Sequence, residues 1–459
     1  MQWNMRLFAH ARAGSNGNGN RSIQWIRAEI GRRFHHDRDF KLFLVVGLCA
    51  GIAGGINSTT FNNFLSDVYK LSAQARGIVE FPRELPGMLI MVVLGLLSFL
   101  GDIRIAVVGM LAASLGMLGL GLFSPTFASM LVWMMMFSLG THIFMPIAPG
   151  IGMSLSEREQ YGMRLGRFNA YNLAATIIGY GIVWLGFKYL GLTYRWAFVI
   201  AAFFYSLAAF FLRFMKSYQP QVKKVKFVFR KKYLLFYCLS VVNGARKQIF
   251  LTFAPWVLIQ AYHVTPPVFA ILGVIIALVS IGTRTMVGNA IDKLGERIVL
   301  SAEAVVLIAI CLGYAFAADL VAPGIAVVVI AACYIIDNSM SAVEMARSTY
   351  VKKIAVHPDD LTPTLSAGTS FDHVIAMSIP FFGGILWATM GYKYVFLAAT
   401  GIAVLNLILS GRIKIMHESQ SLDQPVDSSN TLMSGLEGFS DDFRLERGQP
   451  ERQERDRIQ

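Results

Sequence analysis

The chain has 459 residues, 55% of them hydrophobic and 15% charged, with a mean hydropathy of +0.53. That balance excludes an ordinary soluble domain and predicts an all-α membrane protein. The net charge of +13 gathers beside the apolar runs in alternate connections, so nucleic-acid binding explains it poorly.

Residues 1–41 form an Arg-rich polar tail with Arg6, Arg12, Arg21, Arg27, Arg32, Arg33 and Arg38. No apolar stretch precedes a small-residue cleavage site there, so it is not a secretory signal, and the Gly/Asn run from Gly14 to Asn20 reads as a flexible segment. Twelve candidate spans follow, at roughly 42–66, 78–100, 104–123, 127–150, 168–188, 195–214, 233–260, 267–289, 298–318, 321–346, 364–388 and 393–412. The even-numbered connections carry Arg104; Arg158, Arg164 and Arg167; the basic stretch from Lys216 to Lys232; Lys293 and Arg297; and Lys352 and Lys353. The odd ones hold only Lys70, Arg76, Lys188, Arg195 and Lys393. The positive-inside rule then places both termini in the cytoplasm, as expected of a multi-pass protein of the plasma (inner) membrane. Residues 413–459 are polar and poor in aromatics, and read as a disordered cytoplasmic tail.

Polar residues inside the spans mark candidate sites, because lipid cannot solvate them. Span one carries Asn57, Asn62 and Asn63. Span two opens with Glu80, Arg83 and Glu84; Glu80 and Glu84 share a face, and Arg83 is placed to pair across to the first-half rim as an outer gate. Solvated helix-end charges explain that cluster equally well. His142 in span four serves either an interhelical hydrogen bond or a substrate or proton role. Span seven contains Asn243, Arg246 and Lys247 near its centre, where one charge costs about 2.5–3.5 kcal/mol on the lenient insertion scale. In span ten, Asp337, Ser341, Glu344 and Ser348 recur at helical spacing beside Asn338 and form one polar stripe. Arg246 or Lys247 is the natural partner for Asp337, either as a static pair between helices or as a working element that binds ligand or protons. Asp372 and His373 lie in span eleven, Glu303 in span nine and Arg284 in span eight, with an inner-gate bridge expected from Arg284 to Asp372 or Glu344. The four cysteines fall inside spans without metal spacing. No nucleotide-binding loop or nucleophile elbow appears, so neither cofactor nor enzymatic activity is expected.

The basic connection at 215–232 divides the spans into six plus six, giving bundles at 42–214 and 233–412. Gly181-Ile-Val-Trp184 is echoed by Gly384-Ile-Leu-Trp387, and Tyr194-Arg-Trp-Ala-Phe198 by Tyr392-Lys-Tyr-Val-Phe396. Two matches in the same order point to an internal duplication, whose midplane is the expected substrate site.

The connection after span eight reads Gly288-Asn-Ala-Ile-Asp292-Lys293-Leu-Gly295-Glu296-Arg297. It resembles the major facilitator superfamily signature GxxxD(R/K)xGR(R/K), with Glu296 where a base is usual. The first-half counterpart keeps only Gly101, Asp102 and Arg104. The resemblance covers roughly residues 42–412. It implies twelve transmembrane helices in two pseudo-symmetric six-helix bundles, a cytoplasmic gate latch at Asp292, Lys293 and Arg297, and a central cavity lined by spans one, four, seven and ten. The implied function is secondary active transport by alternating access. Two adjacent cations favour an anionic or zwitterionic small solute held by Arg246 and Lys247 with Asn243, Asn57, Asn62, His142 and Asn338, and Asp337, Glu344 or Asp372 would couple protons. Expected partners are therefore the lipid bilayer, a small-molecule substrate and protons, with the chain a monomer. A proton-coupled drug exporter is the alternative, weakened because span five has only Gly179-Tyr-Gly181 in place of an antiporter motif. A non-transporting sensor or scaffold stays open on the length of the two tails.

Overall fold

The computed structural model describes residues 19–155, 161–216, 230–357 and 360–413. Residues 1–18, Arg158, most of the 215–232 linker and the tail from 414 onward lie outside the described residues. Thirteen α-helices and three short 3₁₀ turns account for nearly all of the rest. The first half holds α1 (Gly19–Asp67), α2 (Ala73–Met88), α3 (Ile90–Leu97), α4 (Asp102–Leu122), α5 (Phe127–Ser154), α6 (Tyr161–Tyr189) and α7 (Tyr194–Arg213). The second holds α8 (Leu234–Gln260), α9 (Pro266–Leu320), α10 (Pro323–Ser339), α11 (Glu344–Ile354), α12 (Leu361–Met390) and α13 (Tyr392–Gly411). The tail expected through residue 41 is helical from Gly19, and its apolar part begins at Asp37.

Among the described residues, ten helices are long and apolar enough to cross a membrane. One of them, α9, has 55 residues, about 80 Å at 1.5 Å per residue, far more than a bilayer core needs. It breaks at Gly295, whose φ of +79° is a left-handed conformation that favours glycine. α8 falls outside the ten because Asn243, Arg246, Lys247 and Gln248 dilute its apolar run. The expected twelve is therefore reached only by dividing α9 and adding α8. Large apolar side chains such as Leu96, Phe99 and Met286 stand exposed on the outer faces, as lipid-facing residues should.

Phe198 is fully buried in an apolar core drawn mainly from the first half, with Trp256 and Ala270 of the second, and Phe396 in a core of the second half, the two phenylalanines matched in the internal repeat. In the first half α1 packs on α6 and α7, and α4 on α5 and α7. The halves meet where α2 packs on α12 and α6 on α9, contacts that exchange if the halves are swapped. Gly77 makes the first contact possible: a Cβ there would lie 2.1 Å from the Pro380 carbonyl oxygen.

A second echo of the duplication lies in two turns. Tyr69-Lys-Leu-Ser72 follows α1, and Tyr262-His-Val-Thr265 follows α8. Lys70 (φ 51°) and His263 (φ 53°) are the positive-φ residues other than glycine among the described residues. In each turn that residue's N–H donates four residues back, and the next donates six back: Lys70 to Ser66 and Leu71 to Leu65, His263 to Ile259 and Val264 to Leu258. Ser72 and Thr265 then take the N-cap position of the next helices, where Ser72 Oγ accepts from the Ala75 N–H. Identical strain at matched positions supports duplication more firmly than residue identities do.

Candidate functional site

Arg246 and Lys247 are consecutive on α8, so their side chains diverge by about 100° around the helix axis. Arg246 is buried and donates to Asp337 Oδ1 at 2.7 Å and to Asn243 Oδ1 at 3.2 Å. Lys247 is half exposed and donates to Asp372 Oδ2 on α12 at 3.0 Å. The Arg246 pair continues into a network. Its guanidinium lies 4.0 Å from Glu303 of α9, and Glu303 also takes Arg347 of α11 at 3.1 Å. Arg347 reaches Glu344 at 3.0 Å, and the Asn243 amide donates to the same carboxylate at 3.3 Å. Three cations thus meet four carboxylates across five helices. A lone ion here would be expensive, and mutual pairing is what lets α8 remain in an apolar bundle.

Two cavities share this network. A space of about 520 Å³ follows α8 from Leu251 past Arg246 and Lys247 to Phe236 near the start of that helix, and takes in Glu344 and Asp372. A second, about 260 Å³, lies between the halves and is lined by Asn57, Asn62, Arg76 and Arg83 on one side. Asp337 and Asn338 line both. A third space of about 440 Å³ sits in the first half among Met110, Phe144, Phe168 and Tyr205, mostly apolar; Met145 lines it and the charged cavity alike.

The first half arranges its charges along α2. Arg76 pairs with Glu80, Arg83 with Glu80 at 2.6 Å and with Glu84 at 2.8 Å. Asn62 accepts from Arg76 at 3.0 Å, and Arg76 also lies over the Trp256 ring of α8. Gln248 of α8 donates to Glu80 at 2.8 Å, so Glu80 links the halves. Glu84 faces His142 of α5 and His373 of α12. At the C-terminal ends of α1 and α8, Asn63 donates to the Val264 carbonyl at 2.7 Å and Gln260 to Ser66 at 2.8 Å.

The sequence-based candidates fare unevenly. Arg246, Lys247, Asn243, Asn338, Asp337, Glu344 and Asp372 meet in one cavity, and Asn57 and Asn62 in its neighbour. The expected bridge from Arg284 to Asp372 or Glu344 does not form: Arg284 is exposed, while Lys247 and Arg347 hold those carboxylates. Arg83 pairs within its own helix, since i,i+3 and adjacent carboxylates are nearer than any rim residue. Asp292, Lys293 and Arg297 are exposed and joined by no ion pair among the described residues. The loop is instead tied by Glu296, buried and 2.9 Å from Lys353 of α11. Gly288 has open space beside it, so of the motif glycines it is Gly295, with its positive φ, that shapes the turn. Gln248 and Arg347 escaped the sequence reading, and Arg76 entered it only as a base of a connection; the available signal was spacing, four residues before Glu80 for Arg76 and three after Glu344 for Arg347.

No curated protein matches the chain. Solved structures share its fold. The nucleoside transporter NupG superposes with a TM-score of 0.66 at 13% identity, over 81% of this chain and 98% of its own. A bacterial homologue of the human lysosomal transporter Spinster gives 0.64 at 15% identity, over 82% and 96%. A D-xylose–proton symporter gives 0.60 at 15% identity, over 82% and 97%. The sequence profile described as Major Facilitator Superfamily matches residues 44–364, more than half of the chain. With a helical, multi-pass membrane architecture and an internally paired charge network, the chain belongs to the major facilitator superfamily of transporters.

Proposed function

We propose that this protein moves a small zwitterionic solute across the membrane by alternating access, coupled to protons, with both termini cytoplasmic. The observation that carries the reading is the 520 Å³ cavity in which a half-exposed ammonium, Lys247, and an exposed carboxylate, Glu344, face the same space. A solute bearing both charges can engage each, sharing Lys247 with Asp372 and Glu344 with Arg347, whereas a simple anion engages Lys247 alone. Arg246, matched to Asp337, holds the helices that form the cavity wall. An apolar portion of the solute fits the adjoining first-half space past Met145. Asp337 borders both the charged cavity and the space between the halves, so a proton taken up there would release Arg246 and change the wall they share.

Purified protein in liposomes, screened with labelled polar metabolites with and without a pH gradient, tests this. Substrate-dependent flux should fall roughly tenfold or more in Lys247→Ala, the loss of one charge-assisted hydrogen bond. Asp337→Asn should retain exchange between identical solutes and lose its response to the gradient. Wild-type flux in Lys247→Ala overturns the solute anchor.

A further inference from the structure

The Glu84–His142–His373 cluster plays no part in the cavity chemistry above, and its geometry is specific. His142 Nδ1 lies 2.9 Å from the backbone carbonyl of Ser138, which can only accept, so this nitrogen carries the proton. His142 Nε2 is then left with a lone pair, 3.9 Å from Glu84 Oε2. His373 Nδ1 is buried and approaches the same oxygen at 3.5 Å, longer than an ordinary hydrogen bond. Glu84 Oε1 is occupied by Arg83 at 2.8 Å, which orients the carboxylate and leaves Oε2 free. The ligand-type atoms of all three residues lie within 4.8 Å of one another. Gly87 creates the room: a Cβ there would sit 2.6 Å from His142 Nε2 and 3.1 Å from His373 Cε1.

Glu84 Oε2 and His142 Nε2 are acceptors, His373 Nδ1 joins them when its ring proton sits on Nε2, and such a convergence suits a cation. A proton shared between two of them needs a separation of about 2.5–3.2 Å, shorter than either distance here. Tetrahedral zinc, with bonds of about 2.0–2.2 Å, spaces its ligands about 3.3–3.5 Å apart, close to what Glu84 Oε2 and His373 Nδ1 already show. The Ser138 carbonyl on His142 is the outer contact that fixes the tautomer of a metal-bound imidazole. Arg83 adds a nearby positive charge, which Glu80 balances at 2.6 Å.

We propose that Glu84, His142 and His373 bind a divalent transition metal, zinc in chemistry, with a fourth position open. Because α2 and α5 belong to the first half and α12 to the second, the metal ties the halves together beside the α2–α12 contact. No local metal spacing announces the site, since its ligands come from positions 84, 142 and 373 on three helices. The site stands apart from the identity of the transported solute.

The test is calorimetric titration of tag-free protein in detergent with ZnCl₂, with MgCl₂ as control, alongside thermal unfolding. One equivalent of zinc should bind and raise the unfolding midpoint, and magnesium should do neither. His373→Ala should weaken zinc binding about 100-fold or more and abolish the midpoint shift. His373→Gln, which keeps the volume and a polar end, should do the same and guards against simple misfolding. Zinc binding at wild-type affinity in a His142→Ala/His373→Ala double variant overturns the proposal, as does zinc behaving like magnesium on the wild type.

Discussion

The two halves share a duplicated fold but deploy their charges differently. In the first half Arg76, Glu80, Arg83 and Glu84 pair along one helix, whereas in the second Arg246, Asp337, Glu303, Arg347 and Glu344 pair across α8, α9, α10 and α11. Contacts between the halves are of another kind. Among the described residues every Lys or Arg ion pair lies inside one half, and the links across are side-chain amides and an imidazole facing carboxylates, a hydroxyl or a backbone carbonyl, with Arg76 over the Trp256 ring. Breaking a buried ion pair costs about 3–5 kcal/mol, and a neutral hydrogen bond contributes about 0.5–1.5 kcal/mol. Wiring of this kind favours separation between the halves over deformation within either, as the proposed alternating access requires.

That contrast can be broken by measurement. The largest effect is expected from Arg246→Ala, which strands Asp337 inside the second half. Unfolding in detergent should show a loss of about 3–5 kcal/mol, with most of it recovered in Arg246→Ala/Asp337→Ala. Equal losses in the single and double variants would mean that the loss does not come from stranding Asp337. Next comes Gly77→Ala, which forces a Cβ against the Pro380 carbonyl. Overpacking of that kind costs about 1–3 kcal/mol, and it falls on the arrangement in which α2 and α12 touch. A thiol introduced as Ser240→Cys in the charged cavity should react more slowly in that background, because the population shifts away from this arrangement. Unchanged labelling would show that the α2–α12 contact does not control access.

Smaller effects should follow at the neutral links. Gln248→Ala removes one hydrogen bond to the Glu80 carboxylate, which keeps both its arginines, so stability should drop by about 1.5 kcal/mol, the low end for a bond to a charged acceptor. A loss as large as that of Arg246→Ala would erase the distinction between wiring within halves and wiring between them. Lys247→Ala should be the mildest for stability, within about 1 kcal/mol, since its pair with Asp372 is half open to water. Its large effect belongs to flux, and a stability loss above about 2 kcal/mol would reclassify Lys247 as structural.

Much of the architecture was legible in residue order, because membrane insertion is decided segment by segment. Apolar length marked the spans, the bases marked one side, and Gly295 in its motif foretold the break in α9. The turns at Lys70 and His263 were present in Tyr69–Ser72 and Tyr262–Thr265, but resemblance between short polar strings carries little weight until both are seen to adopt the same strained φ. Arg246 announced that it needed a partner, since a lone charge in lipid is intolerable. Asp337 was named among the possibilities for the same reason. Arg284 was assigned wrongly and Arg347 overlooked because depth in the membrane restricts which residues can meet and does not say which faces point together.

Sequence alone therefore determined a multi-pass helical protein of duplicated design with a polar interior. Tertiary structure decided the pairings: Lys247 with Asp372, Glu296 in place of Asp292 at the loop, and two histidines brought to Glu84 from helices far apart in the chain. The physical reason is one of range. Hydrophobic transfer sums along a segment whatever its neighbours do, while a hydrogen bond or metal ligand is fixed within a few tenths of an ångström by how separate helices rotate and pack.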